Sequence, residues 1–400
     1  MVMNETNLGY EQQKDLQQTL ASHWMYDPTV ILELSQSLPQ EGIDVVNDLA
    51  ADVELNPEGI QKRDQNRAEV TDILRGQSDK KLIIIGPCSL DLEADYTKLF
   101  DYIEKLQVEN PDAVIAWRGN GAKPRSGVGN TGTWSNIAPG SRKRQLEIYQ
   151  DAFARGIPIL TEITEKDQFS QLAPYLTAAW AGARDMESTD LRKVLSATRM
   201  PVLVKNSKDG RLKSLWDAIK TIRSNTAQND GSGVNLGYIA ATCRHEDGGP
   251  ASFTVGEGNP NVGIIARGYE LRQEVLTDDG IILEEVLSAD ESEAKAFQHL
   301  NDVCTLAARL SCKALLDGSH RVPSMFSLED KNENRFLAVL KKFRHGVKQE
   351  RIQNAELLIG LLGEISVSHG KTDKNLVLTP ETEAELEDEI IEFKRLSATV

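Results

Sequence analysis

From residue 80 onward the chain alternates between two patterns. Short apolar runs fall at residues 82–85, 113–117, 158–160, 178–183, 201–204, 262–266, 314–316 and 357–362. Longer segments with apolar residues at i, i+3 and i+4 fall at 92–107, 142–155, 167–177, 189–198, 212–224, 333–348 and 381–396. The runs have the length of strands and the longer segments the period of helices. Together they predict repeated βα units and a parallel sheet. Eight such runs point to a closed barrel rather than an open sheet. Thr379 followed by Pro380 predicts the start of the last helix, because threonine caps and proline suits the first turn. The expected class is α/β: a (β/α)8 TIM barrel with an N-terminal extension and inserted segments.

Residues 1–78 contain no convincing strand. Helical patterns at 10–22 and 60–74 flank a loop-like stretch near 39–57, and Pro57-Glu58-Gly59 is placed to start the second helix. The expected division is an N-terminal arm at 1–78, for oligomer contacts or regulation, and a catalytic barrel at 79–400. Two segments break the barrel rhythm. Residues 236–255 read as an added hairpin, with strand-like YIAATC and ASFTV separated by Gly-Gly-Pro at 248–250. Residues 270–312 are longer than one barrel helix requires, and 277–293 within them is rich in acids, so extra structure is expected there.

Composition narrows the candidates. With 40% hydrophobic and 26% charged residues, the chain is that of an ordinary globular protein. Its formal net charge of −16 repels nucleic acid and anionic membranes, so neither is an expected partner. Any anion site must therefore be a local basic pocket. The four cysteines, Cys88, Cys243, Cys304 and Cys312, form no CxxC pair and fit a reduced, cytoplasmic protein. No signal peptide and no membrane span is expected.

In a barrel, chemistry gathers where strands end and βα loops begin. Here nearly every run ends in a polar group: Gly86-Pro87-Cys88-Ser89, Arg118, Glu162, Arg184, Lys205-Asn206, Arg267, Asp317-Gly318-Ser319-His320 and Glu364, with Lys123-Pro124-Arg125-Ser126 shortly after the second. Six cations, Arg118, Lys123, Arg125, Arg184, Lys205 and Arg267, converge on one end of a strongly acidic protein. That pattern implies a multiply charged anionic ligand, since arginine offers paired donors to phosphate or carboxylate and lysine a point charge. Cys88, His320 and Glu364 are ligand types for a divalent Mn, Fe, Co or Zn ion. Closure of the sheet would bring the first, seventh and eighth strands together. Taken alone, Cys88 reads more simply as a small buried apolar side chain, and His320 as a hydrogen-bonded loop histidine.

The motifs IIIGPCS at 83–89, WRGNGAKPR at 117–125, GAR at 182–184, VKN at 204–206, GIIARG at 263–268 and LLDGSH at 315–320 resemble, in this order, those of the type I 3-deoxy-D-arabino-heptulosonate 7-phosphate (DAHP) synthases. The resemblance runs from about residue 37 to about residue 364. It implies a metal-dependent barrel that condenses phosphoenolpyruvate with erythrose 4-phosphate, the first step toward aromatic amino acids. Cys88, His320 and Glu364 would be metal ligands. Arg118, Lys123, Arg184, Lys205 and Arg267, with Glu162 nearby, would form the phosphoenolpyruvate site. Lys123, Pro124, Arg125 and Ser126 would form the aldose phosphate site, with Arg125 on its phosphate. Lys123, Cys88 and His320 would be catalytic. A homo-oligomer, dimer or tetramer, is expected, and in such families the arm helps bind aromatic amino acid effectors.

Four features depart from that pattern. KPRSG replaces KPRTT or KPRTS, so Gly127 lacks a hydroxyl. DGSHRV replaces DFSHAN, so Arg321 stands beside His320. The region after Glu364 is short, and HGKTDKN at 369–375 offers Asp373 as the fourth metal ligand where an ungapped match places Asn375. The 270–312 segment is long. These departures keep open a different aldehyde acceptor, such as an amino-sugar phosphate, and also a non-catalytic homologue that binds phosphoenolpyruvate.

Overall fold

A computed structural model describes residues 56–121, 139–183, 185–198, 200–207, 211–224, 259–267, 272–276, 282–286, 289–318, 335–352, 355–366 and 376–397. Within them the apolar runs become strands β1 (Lys81–Gly86), β2 (Ala113–Arg118), β3 (Ile159–Ile163), β4 (Ala178–Ala181), β5 (Val202–Lys205) and β6 (Val262–Ala266). An antiparallel pair follows, β7 (Arg272–Leu276) and β8 (Ile282–Val286), and then β9 (Ala314–Asp317), β10 (Leu358–Ser366) and the short β11 (Leu376–Val377). β1 to β6, β9 and β10 pair in parallel in that order, and β10 pairs back onto β1, with Gly86 opposite Glu364. The ring is therefore a closed (β/α)8 barrel. At the seam Gly360 passes the backbone of β1 so closely that any Cβ there would meet the Leu82 carbonyl.

The helices are α1 (Pro57–Arg75), α2 (Thr97–Glu109), α3 (Pro139–Ala154), α4 (Lys166–Leu172), α5 (Thr189–Ala197), α6 (Leu212–Ser224), α7 (Ala289–Arg309), α8 (Arg335–Lys348) and α9 (Pro380–Leu396). Strand alternation sorts the core into two parts. Leu82, Ile84, Val114, Ala116, Leu160, Trp180, Leu203, Ile265, Leu315 and Leu362 fill the barrel, while Ile83, Ile85, Ile115, Trp117, Ile159 and Val204 face the helices.

Several boundaries move from their expected places for local reasons. α2 begins at Thr97, five residues later than the apolar period suggests. Asp91 and Asp95 each accept a hydrogen bond from the backbone N–H two residues on (Glu93 at 3.1 Å, Thr97 at 2.9 Å), which holds the preceding stretch in turns. α4 stops at Leu172, two residues before Pro174, which has no N–H to continue the helical ladder. α9 starts as expected, with Thr379 and Thr382 forming a reciprocal capping box and Pro380 in the first turn. Within 270–312 the described residues are the antiparallel pair β7 and β8 and the 21-residue α7. The expected hairpin at 236–255 and most of the 1–78 arm lie outside the described residues.

Residues 57–75, grouped by sequence with that arm, form a helix packed onto the barrel. Asn56 caps α1 by accepting from the Gly59 N–H, and Gly76 ends it in the left-handed region at φ 71°. Val70, Ile73 and Leu74 join the barrel-interior cluster beside Leu82 and Val114, near the starts of β1 and β2. Arg67 donates to the Leu176 and Ala173 carbonyls, at 2.8 and 2.9 Å, and Arg63 donates to that of Pro174. α1 thus closes the floor of the barrel, at the end opposite the polar strand termini. Leu74→Ala is expected to lower stability by about 2–5 kcal/mol, through lost transfer energy plus a cavity. Denaturant melts test this, and a change below about 1 kcal/mol would show that the floor is not sealed by this residue.

Candidate active site at the barrel mouth

The alternation that fills the barrel continues upward into its polar rim. Two residues beyond Ala116 stands Arg118, beyond Leu160 Glu162, beyond Leu203 Lys205, beyond Ile265 Arg267, beyond Leu315 Asp317 and beyond Leu362 Glu364. A period of two keeps each on the inward face, and all six are buried.

Among the described residues the ion pairs Arg118–Glu364 and Lys205–Asp317 cross this mouth, each skipping one strand. Arg118 Nη1 donates to Glu364 Oε1 at 2.8 Å, from β2 to β10 across β1. Gly86 lets β1 and β2 approach closely at this point, since a Cβ on it would fall against the Arg118 carbonyl. Lys205 Nζ lies 2.5 Å from Asp317 Oδ2, from β5 to β9 across β6. Glu162 accepts a hydrogen bond from Trp180 Nε1 at 3.4 Å, and a side chain at Gly182 would displace its carboxylate.

Burial, Asp317 and the neighbouring cations set the charge of Lys205. Burial pushes its pKa down to about 8; Asp317 opposes that fall, and Arg118 and Arg267 add to it. Burial also works against charge on Arg118, but Glu364, Cys88, Asp317 and Glu162 outweigh it, and its pKa lies above the usual value. Arg118 Nε and Nη2 are buried with no hydrogen-bond partner among the described residues. Such donors carry a desolvation cost of about 1–3 kcal/mol each until an anion arrives to accept from them.

The residues expected to form the anion site are therefore brought together in part. Arg118, Lys205, Arg267 and Glu162 share the mouth. Lys123, Pro124, Arg125, Ser126 and Arg184 lie outside the described residues. The described cations Arg118, Lys205 and Arg267 face the carboxylates Glu162, Asp317 and Glu364, so formal charge balances in this portion. A multiply charged anion would draw its excess positive charge from the remaining cations of the series or from a metal.

Of the expected metal ligands, Cys88 and Glu364 are described. Glu364 sits opposite Gly86 in the β1–β10 register, and Cys88 follows Gly86 by two residues. His320 and Asp373, with its alternative Asn375, lie outside the described residues. No group of three or more His, Cys, Asp and Glu placed to hold a metal occurs among the described residues. The donors that are in place, a buried thiol outside any disulfide and a carboxylate on adjoining strand ends, fit a first-row divalent ion.

Two further groups have places here that the strand-end motifs alone did not assign. Asp317 is 0% exposed and is the counter-ion of Lys205. Asn120 joins three strand ends: its Nδ2 donates to the Cys88 carbonyl at 3.2 Å, and its Oδ1 accepts from the Glu162 N–H at 3.0 Å. The signal for Asp317 was available in the alternation, since it lies two residues beyond Leu315.

Comparison with known proteins adds to this geometry. The model of the DAHP synthetase I family matches residues 55–323, which leaves Glu364 beyond the matched segment. A phospho-2-dehydro-3-deoxyheptonate aldolase from Corynebacterium glutamicum is 29% identical over 237 residues, 55% of this chain and 59% of that protein. A Trp-sensitive enzyme of the same name from Enterobacter agglomerans is 29% identical over 191 residues, 44% of this chain and 53% of that one. The chain thus spans little more than half the length of these relatives. The structure of a phospho-2-dehydro-3-deoxyheptonate aldolase from Francisella tularensis superposes with a TM-score of 0.53 at 19% identity, covering 86% of this chain and 95% of the other. That likeness shows the fold. No helix among the described residues is long and apolar enough to cross a membrane.

Proposed function

The chain belongs to the DAHP synthetase I family, and we propose from that premise that it condenses phosphoenolpyruvate with erythrose 4-phosphate, releasing phosphate. The observation that carries the reading is the set of buried cations Arg118, Lys205 and Arg267 on inward-facing strand ends, beside Cys88 and Glu364.

In this reading Arg118, Lys123, Arg184, Lys205 and Arg267 hold the carboxylate and phosphate of phosphoenolpyruvate, with Glu162 nearby. Lys123, Pro124, Arg125 and Ser126 receive the aldose phosphate, with Arg125 on its phosphate. Cys88, His320, Glu364 and Asp373 would hold a divalent Mn, Fe, Co or Zn ion, which when bound polarises the aldehyde oxygen as a Lewis acid. The enol carbon of phosphoenolpyruvate attacks the aldehyde carbon and the new C–C bond forms. Lys123 protonates the resulting alkoxide oxygen. Water adds at the carbon bearing the phosphate ester, and inorganic phosphate leaves by C–O cleavage. The buried cradle contributes by fixing charge and geometry before reaction. The protein would act in the cytoplasm as a homo-oligomer, on small-molecule substrates.

The test is an assay on metal-reconstituted protein that follows loss of phosphoenolpyruvate absorbance with and without erythrose 4-phosphate. Consumption only with both substrates supports the reading. Binding of phosphoenolpyruvate with no consumption would remove erythrose 4-phosphate as acceptor and turn the test to other aldehydes, such as amino-sugar phosphates. KPRSG, with Gly127 lacking a hydroxyl, and Arg321 beside His320 favour that second reading. No product from any aldehyde would leave a non-catalytic phosphoenolpyruvate-binding protein.

The Lys205–Asp317 pair makes the donor half pH-dependent. Lys205 is cationic below about 8 and neutral above it, while a phosphate ester is doubly ionised above about 6. Affinity for phosphoenolpyruvate is therefore expected to be full between about 6 and about 8 and to weaken, by up to about tenfold per pH unit, above about 8. Asp317→Asn removes the group that holds the lysine pKa up, so the fall should begin at lower pH. Calorimetric titrations across this range check both points, and a flat profile in both proteins would exclude Lys205 as the titrating contact.

A further inference from the structure

We infer that Asn206 is a positioning residue for the donor site, locking the end of β5 to the end of β6 so that Lys205 and Arg267 are presented together. The inference rests on the phosphoenolpyruvate reading above and adds a residue to it. Lys205 pairs with Ile265 as the last register pair of the β5–β6 ladder. Beyond it the Asn206 N–H still donates to the Ile265 carbonyl, at 3.3 Å. The Asn206 side chain then takes over from the backbone. Its Oδ1 accepts from the Arg267 N–H at 2.6 Å, and its Nδ2 donates to the Arg267 carbonyl at 2.9 Å and to the Ser207 carbonyl at 3.1 Å.

Both peptide groups of Arg267 are thus held by one side chain that is 0% exposed. Only an amide carries an acceptor and two donors on one short stem. Aspartate would set a carboxylate against the Arg267 and Ser207 carbonyls, serine would not reach both groups, and alanine would leave buried peptide groups exposed to the cost of an unmade bond.

The clamp answers an electrostatic problem. Lys205 and Arg267 are like charges on adjacent strand ends, both buried and both inward, and in the free protein they repel. Past the last backbone ladder pair, nothing in a parallel sheet resists a splaying of the two chain ends. Fixing the N–H and C=O of residue 267 fixes the direction of its Cβ, and with it where the guanidinium is delivered. His299 of α7 supports the same point from the helix side by donating to the Arg267 carbonyl.

The test is calorimetric titration of the intact chain with phosphoenolpyruvate, together with steady-state kinetics, on the wild type, Asn206→Ala, Arg267→Ala and the double variant. Asn206→Ala is expected to weaken phosphoenolpyruvate binding about tenfold or more and to raise its KM alone, leaving the KM of the aldehyde unchanged. In the Arg267→Ala background the same change is expected to add less than about threefold, because residues acting through one another are non-additive. A merely structural role would lower the active fraction, and so kcat, while leaving affinity as it was. Should Asn206→Ala fail to fold, His299→Phe removes only the donor on the helix side. It is expected to weaken binding about threefold, again only when Arg267 is present. Wild-type affinity in the folded variants, or losses that add in full to that of Arg267→Ala, would overturn the clamp while leaving the function intact. No binding by the wild type would remove the function and the clamp together.

Discussion

Arg118→Ala is expected to abolish turnover and to lower the stability of the fold by about 3–5 kcal/mol. The guanidinium is 0% exposed and its Nη1 donates to Glu364 at 2.8 Å. Removing it takes away the Arg118 bond to a buried carboxylate, which is the costly way to break a buried pair. The same change removes the donors at Nε and Nη2 that have no partner among the described residues. Loss of one preorganised donor to a developing or bound anion typically costs about 10²–10³ in rate. The two effects are separable. In Arg118→Ala/Glu364→Ala the buried carboxylate is gone as well, so much of the stability should return while turnover stays lost. Chemical denaturation and the phosphoenolpyruvate assay measure the two. A single variant within about 1 kcal/mol of wild type and within tenfold in rate would show that this pair neither holds the mouth nor binds substrate.

Removal of divalent metal is expected to end turnover, with recovery on adding it back. The described cations and carboxylates at the mouth balance in formal charge. A divalent ion would therefore shift the local potential toward the anionic substrates, besides acting on the aldehyde oxygen. Cys88 must lose its proton to ligate, so uptake should release protons and tighten as pH rises. Cys88→Ser and Glu364→Gln are expected to lower bound metal and turnover in parallel, measured by elemental analysis and assay on the same samples. Full turnover in excess chelator would falsify the metal role. Metal content unchanged in both variants would move the site away from β1 and β10.

Much of the fold and part of the site could be read without coordinates, for reasons that differ by element. The strands were legible because barrel strands are buried on both faces and appear as unbroken apolar runs. The helices were legible through their period, and misplaced where a local interaction competed with it. Asp91 and Asp95 delay α2, and Pro174 curtails the segment read as a longer α4. The sequence of α1 shows a helix and not what the helix covers. Its Val70, Ile73 and Leu74 face the barrel floor, a fact set by the strand starts and not by the helix.

The sequence by itself determined which side chains stand at the strand ends and on which face. An alternation of period two, once seated on an apolar interior, leaves Arg118, Glu162, Lys205, Arg267, Asp317 and Glu364 no other direction to point. Only the tertiary structure decided which of them meet. Arg118 and Glu364 are 246 residues apart in the chain and become partners because the ring closes between β1 and β10. Lys205 finds Asp317 because β6 alone separates β5 from β9. Asn206 becomes a clamp because the β5–β6 register delivers Arg267 to it. Local preferences act over a few residues, whereas these pairings follow from strand order and register, which the chain settles only when the whole sheet closes.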